Sequence, residues 1–128
     1  MCYVYFNNNP RGLNVGDCVI RASSKALNQS WETTYLDLVT VGYDMADMPS
    51  SNSVLNSYLR SKGFHKKTID DLCPSCYSVR NFADEHFKGI YILGMGSHVV
   101  CVIDGQYFDS WDSGDEIPLF YYEREEWI

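Results

Sequence analysis

The chain has 128 residues, 45% apolar and 15% aromatic, and a formal charge of −7 with a pI near 4.7. Such a chain folds as one domain over residues 1–128, burying roughly two-thirds of its unfolded surface, which excludes a disordered chain and makes disulfide staples unnecessary. The acid excess repels polyanions, so nucleic acid is not an expected partner, and no apolar run nears the ~18 residues of a spanning helix, so neither is a membrane.

Residues 1–6 read as a short first strand ended by Asn7-Asn8-Asn9; they lack the basic start and ~7–15-residue apolar centre of a signal peptide. Pro and Gly make residues 10–16 a loop. Asp17 is expected to cap a buried helix over 18–28, carrying Val19, Ile20, Ala22, Ala26 and Leu27, by accepting from its free N–H groups. Ser30 caps a second helix with Trp31, Tyr35, Leu38 and Val39 as its apolar face, and Gly42 ends it. A third spans 52–62 with Val54, Leu55, Tyr58 and Leu59 inward, and Ser78 opens a short fourth with Val79, Phe82 and Ala83.

From Gly89 the periodicity changes. Residues 90–93 are a buried run bounded by glycines, and 98–103 a β-branched run. Asp104-Gly105 is a two-residue hairpin signal, since both positions of such a turn want positive φ. Residues 106–111 return as the partner strand, and 117–122 form a last strand before an acidic tail. The fold class is α+β, with N-terminal helices packed on a C-terminal antiparallel sheet.

Five cysteines, Cys2, Cys18, Cys73, Cys76 and Cys101, stand at irregular spacing. An odd count without a secretion signal points to a reducing, cytoplasmic setting and thiols with separate tasks. Cys18 opens the first helix behind a glycine-bearing loop. There the helix dipole and free N–H groups favour the thiolate and are placed to receive an oxyanion.

The hairpin supplies the partners. With Ile103 opposite Gln106, Val100 falls opposite Asp109 and His98 opposite Trp111. Directly paired residues share a face, so His98, Asp109 and Trp111 lie together, with Asp109 on the diagonal from His98. Ser110 and Asp112 fall on the other face, and Asp112 replaces Asp109 only if a bulge shifts the register. A thiol needs a base, and the base needs a group that fixes its tautomer; Cys18, His98 and Asp109 fill these roles, with Trp111 excluding water.

The order of Cys on the first helix, His opening a strand and Asp109-Ser110-Trp111 closing the next resembles the papain-like cysteine peptidase superfamily, which has Asn-Ser-Trp at that last place. The double-glycine leader peptidases, the C39-like group, also use Asp there. The segments Gly16-Asp17-Cys18-Val19-Ile20-Arg21-Ala22 and His98-Val99-Val100 resemble small phage-encoded proteins with a papain-like core, which implies the cytosol of a bacterial host. The resemblance implies a papain-like fold and a thiol hydrolase. Gly12 stands where papain-like enzymes carry an oxyanion Gln, leaving Asn14, or more distantly Gln29, as the amide donor. Cys18, Arg21 and Ala22 also match the ovarian-tumour deubiquitinase motif, although Val99 and Val100 follow the His where that family has an aromatic and then an acidic or amide residue.

Cys73-Pro74-Ser75-Cys76 is a CxxC that reads as half of a zinc site, completed only by His65, His86 or Cys2, or as a redox pair, for which Asp70-Asp71-Leu72 is not the strand expected before it; without a second CxxC, two loop thiols are the simpler expectation, and no cofactor is required. His65, beside Lys66-Lys67, reads as solvated and His86 as a structural helix end. No calcium-loop spacing or glycine-rich phosphate motif occurs. The expected function is a cysteine hydrolase or acyl transferase acting on a peptide, protein or amide, an isopeptidase of the deubiquitinase kind included. The alternative is a catalytically inactive papain-like fold that binds a protein. The oligomeric state is left open.

Overall fold

The computed structural model describes residues 2–69 and 77–124. Along the chain run β1 (Tyr3–Tyr5), α1 (Cys18–Leu27), α2 (Trp31–Met45), α3 (Asn52–Ser61), β2 (Phe64–Thr68), α4 (Val79–Glu85), β3 (Ile90–Gly94), β4 (Val99–Ile103), β5 (Gln106–Asp109) and β6 (Phe120–Arg124). The class is α+β. The strands form one six-stranded sheet in the order β1-β5-β4-β3-β6-β2.

That sheet departs from the expected C-terminal antiparallel one in two ways. β1 joins the edge parallel to β5, pairing Tyr3 with Tyr107 and Tyr5 with Asp109. At the other edge β2 pairs antiparallel with β6, although His65, Lys66, Lys67 and Thr68 gave no apolar signal because all four are exposed and only Phe64 is buried. Charge on an outer strand discourages edge-to-edge association, and it also erases the alternation that identifies a strand. The last strand lies at Phe120–Arg124, a few positions beyond the expected start, because Leu119 N–H bonds to Gly94 O before pairing with β3 begins.

Both sheet faces are covered, which is why β3 and β4 read as unbroken apolar runs. Ile92, Val99, Cys101 and Tyr122 pack against Ala22, Ala26, Leu38, Leu55 and Leu59 from α1, α2 and α3. Leu93, Val100, Val102 and Tyr107 pack against Val79, Phe82 and Ala83 of α4. Fully burying each of the Val, Leu, Ile and Phe side chains among them contributes about 1.5–3 kcal/mol.

The caps on α2, α3 and α4 are local chemistry: Ser30, Ser51 and Ser78 each accept from a backbone N–H at the third helical position. Two helix expectations need correction. Gly42 does not end α2, which runs to Met45 and closes on Ala46 in the left-handed region. Gly42 is buried within the helix, and a Cβ there would lie 2.8 Å from Asp47 O, so the returning chain requires glycine. The buried face of α2 is Thr34, Leu38 and Gly42, whereas Tyr35 is exposed and stacks on Trp31 at 5.0 Å.

Candidate active site

Two asparagines, Asn7 and Asn9, shape the turn that leads to the first helix. Asn7 Oδ1 accepts from Asn9 N–H, and Asn9 Oδ1 from the N–H groups of Arg11 and Leu13. Side chains that bond their own backbone a few residues on fold a loop locally. The chain then enters α1 at Asp17, with Cys18 as the first helical residue. Asp17 sits at the cap position, but its side chain makes no capping bond, contrary to expectation. Instead Oδ1 binds Arg21 Nη1 at 2.5 Å, and Oδ2 accepts from Trp31 Nε1 at 2.9 Å and Asn9 Nδ2 at 3.5 Å. A guanidinium one turn on outcompetes a neutral N–H for a buried carboxylate. The first-turn N–H groups beside Cys18, which lack intrahelical acceptors, stay uncapped by Asp17.

The β4–β5 hairpin brings His98 and Asp109 together. Asp104 and Gly105 have φ of 49° and 82°, and Ile103, Val102 and Cys101 pair with Gln106, Tyr107 and Phe108. His98 lies just ahead of β4, and Asp109 ends β5. His98 Nε2 is 2.6 Å from Asp109 Oδ2. The other ring nitrogen is thereby left free of the carboxylate, and Cys18 is near enough to His98 and to the Val99 backbone N–H for both to act on its charge. Cys18, His98 and Asp109, separated by 80 and 11 positions, are thus brought together, with His98 bonded to Asp109 and electrostatically coupled to Cys18.

The electrostatics favour a thiolate–imidazolium pair. Burial opposes charge on Cys18, but the bonds from His98 and Val99 and the charges of His98 and Arg21 outweigh it and lower its pKa. Burial likewise opposes charge on His98, yet the bonds to Asp109 and Cys18 raise its pKa to about 9. Asp109 is lowered: burial is overcome by bonds from His98, Ser113 and Ser110 N–H. Cys101 contrasts with all three, since complete burial pushes its thiol up and keeps it protonated.

Trp111 lies against His98 with ring centroids 5.0 Å apart, and at 46% exposure it covers the imidazole on one side while its other side faces solvent. Asp112, the alternative orienter, points elsewhere. It bonds to the Tyr107 hydroxyl and to Gly114 N–H, with Arg80 at 3.7 Å. Gly114 is required there, because a Cβ would overlap the Tyr107 hydroxyl at 2.2 Å. Asn14 is exposed on the loop before Cys18, and among the described residues no hydrogen bond anchors its amide. Gln29 is spoken for: its Nε2 donates to Thr34 Oγ1 and to the Tyr58 hydroxyl, both at 2.8 Å.

Two contributors escaped sequence reasoning. Ser113 Oγ donates to Asp109 Oδ2 at 2.6 Å from an irregular loop with no sequence signal. Arg21 Nη2 binds Asp109 Oδ1 at 3.0 Å. Its signal was legible, since Asp17 and Arg21 stand four apart on the helix that presents Cys18.

The other candidates stay apart from this row. His65 is exposed on β2. His86 stacks on Phe82 at 3.7 Å, with Nδ1 2.8 Å from Phe82 O, and lines a cavity of about 280 Å³ with Thr68, Ile69, Tyr77, Phe82 and Tyr121. Cys2 Sγ lies 3.2 Å from Asp84 Oδ1. Cys73 and Cys76 lie outside the described residues, among which no group of three or more His, Cys, Asp or Glu is placed to hold a metal ion. Nor is any helix among them long and apolar enough to cross a membrane.

Comparisons with protein-family models, with curated proteins and with solved structures each returned no match.

Proposed function

We propose that the chain is a papain-like cysteine hydrolase or acyl transferase in which Cys18 is the nucleophile, His98 the acid and base, and Asp109 the group that orients His98. The observation that carries this reading is His98 Nε2 held 2.6 Å from the buried Asp109 carboxylate, with Cys18 at the start of α1 near enough for His98 to lower its pKa. The nucleophile at the start of a helix, the base ahead of one strand and the acid at the end of the next follow the papain-like order. The uncapped N–H groups of the first α1 turn support the oxyanion assignment, with Asn14 the nearest candidate for a second donor.

Chemically, the Cys18 thiolate attacks the carbonyl carbon of an amide or ester and the oxyanion forms against the α1 N–H groups. The C–N or C–O bond then breaks as the His98 imidazolium gives its proton to the leaving group. Water, deprotonated by the now neutral His98, attacks the thioester, and the acid leaves as Cys18 regains its pairing. An amine in place of water makes the same site an acyl transferase. The substrate class is a peptide, protein or amide carbonyl, an isopeptide of the deubiquitinase kind included; in a phage-encoded setting it would be met in the host cytosol.

The test is alkylation of native protein with iodoacetamide at pH 6, with the modified residue located by peptide mass mapping. Cys18 should react well ahead of free cysteine and of Cys101, and covalent acyl-enzyme should form at Cys18 with activated peptide or amide esters. A Cys18 no more reactive than free cysteine ends the proposal.

A second reading, a catalytically inactive fold that binds a protein, is favoured by Gly12. It is exposed at φ 67° where the family's oxyanion glutamine is expected. An activated Cys18 that forms no acyl-enzyme with any carbonyl probe, in a protein whose Cys18→Ala variant retains its partner equally, would select that reading.

A further inference from the structure

Arg21 is 4% exposed and lies between two carboxylates that are as deeply buried, Asp17 at 5% and Asp109 at 1%. Burying a guanidinium and two carboxylates is costly unless every lone pair and N–H finds a partner. Here they largely do. Asp109 Oδ1 accepts from Arg21 Nη2 at 3.0 Å and from Ser110 N–H at 2.8 Å, while Oδ2 accepts from Ser113 Oγ at 2.6 Å and faces His98 at 2.6 Å. Four partners leave the carboxylate no freedom to rotate. Asp17 is tied in turn to Trp31 on α2 and to Asn9 on the entry loop. One chain of hydrogen bonds therefore links α2, the cap of α1 and the end of β5.

We infer that the Asp17–Arg21 pair is a positioning device for Asp109, fixing its Oδ1 so that Oδ2 faces His98, while Asp17 offsets the Arg21 charge that would otherwise compete with His98 for the carboxylate. The inference rests on the Cys18–His98–Asp109 reading above. The charge count supports it. Asp17 and Arg21 cancel, which leaves the full charge of Asp109 to an imidazolium at His98. A structural ion pair alone needs only one carboxylate. The guanidinium fork is suited to this task because it reaches two carboxylates at fixed angles, which a lysine ammonium does not. The groups facing His98 are Cys18 from α1, Asp109 from β5 and Trp111 from the following loop. Those facing Arg21 are Asp17 and Asp109, and Tyr3 of β1 steadies the latter by donating to its carbonyl at 3.1 Å.

The decisive experiment is the iodoacetamide rate of Cys18 against pH, measured per folded molecule in the wild type, Arg21→Lys, Asp109→Asn and the double variant. An unactivated wild-type Cys18 defeats the functional reading itself, before Arg21 is considered. With an activated wild type, Arg21→Lys should slow alkylation at pH 6 by about tenfold or more, which is what one unit of rise in thiol pKa produces. It should have no further effect once Asp109 is Asn. A folded Arg21→Lys with an unchanged pH profile, or additive effects in the double variant, overturns the inference. Should Arg21→Lys fail to fold, Asp17→Asn decides, because it keeps the shape and one acceptor oxygen. The His98 ring titration, followed by NMR, should move to lower pH as the Arg21 charge is uncovered, and an unmoved midpoint overturns the proposal.

Discussion

His98 and Asp109 meet with Nε2 and Oδ2 2.6 Å apart just beyond Cys101–Phe108, the last paired rung of the β4–β5 ladder. The regular pairing has ended there, and β1 takes over the backbone of Asp109 instead, through the Phe6 N–H at 2.8 Å from its carbonyl. The carboxylate is thus fixed by the sheet on one side and by Arg21 on the other, and it remains directed at the imidazole.

Asp109→Asn is expected to lower turnover of an acyl substrate by about 10²–10⁴-fold, the range a positioned base contributes. Asp112→Asn should retain most of the activity, because its carboxylate serves Tyr107 and Gly114 rather than His98. Single-turnover rates of the two variants make the comparison. Equal losses would mean that the register does not select the orienter.

Turnover should follow a bell in pH. The acid limb reports formation of the Cys18 thiolate, whose pKa is lowered, and the alkaline limb lies near 9, where His98 loses the proton it gives the leaving group. Alkylation needs only the thiolate, so its rate should not fall at the alkaline limb. Parallel profiles for the two reactions would argue against His98 as the acid.

Stability should carry the same signature at both ends of the scale. The folded pKa of His98 is raised, so its contribution is complete below about 6.5 and is lost as pH rises through about 9. The folded pKa of Asp109 is depressed, so its contribution is present above the ordinary carboxylate range and is lost as pH falls through its folded value. Urea denaturation across pH measures both slopes, and Asp109→Asn should flatten each of them.

Gly42→Ala ought to destabilise the protein although alanine is the better helix former by ~1 kcal/mol. The new Cβ would lie 2.8 Å from Asp47 O and 3.3 Å from the Pro49 backbone, and overpacking of this kind costs roughly 1–3 kcal/mol. A variant with a higher melting temperature would show that the chain after α2 yields easily.

The positions of Cys18, His98 and Asp109 in the fold were readable from sequence because each sits at a landmark: a helix start, a strand start and a position counted from an Asp-Gly turn. Arg21 was noted only within the motif around Cys18, since nothing local says that its far carboxylate comes from a residue 88 positions on. β2 was missed because its side chains face solvent, and β1 gave no hint of its direction because three residues pair equally well either way. Gly42 misled for a related reason: close approach of Asp47 and Pro49 calls for glycine in mid-helix just as a terminus does.

The two halves of the site differ in how far the chain must travel to make them. His98 and Asp109 belong to one tight hairpin, a unit of the kind that forms in about 1–10 μs. Cys18 comes from 80 positions earlier and joins only when α1 docks on the sheet, a long-range closure and therefore a late one. If Cys18 is the nucleophile proposed above, nascent or partly folded chains would carry an ordinary cysteine there, and its reactivity would report on the native state.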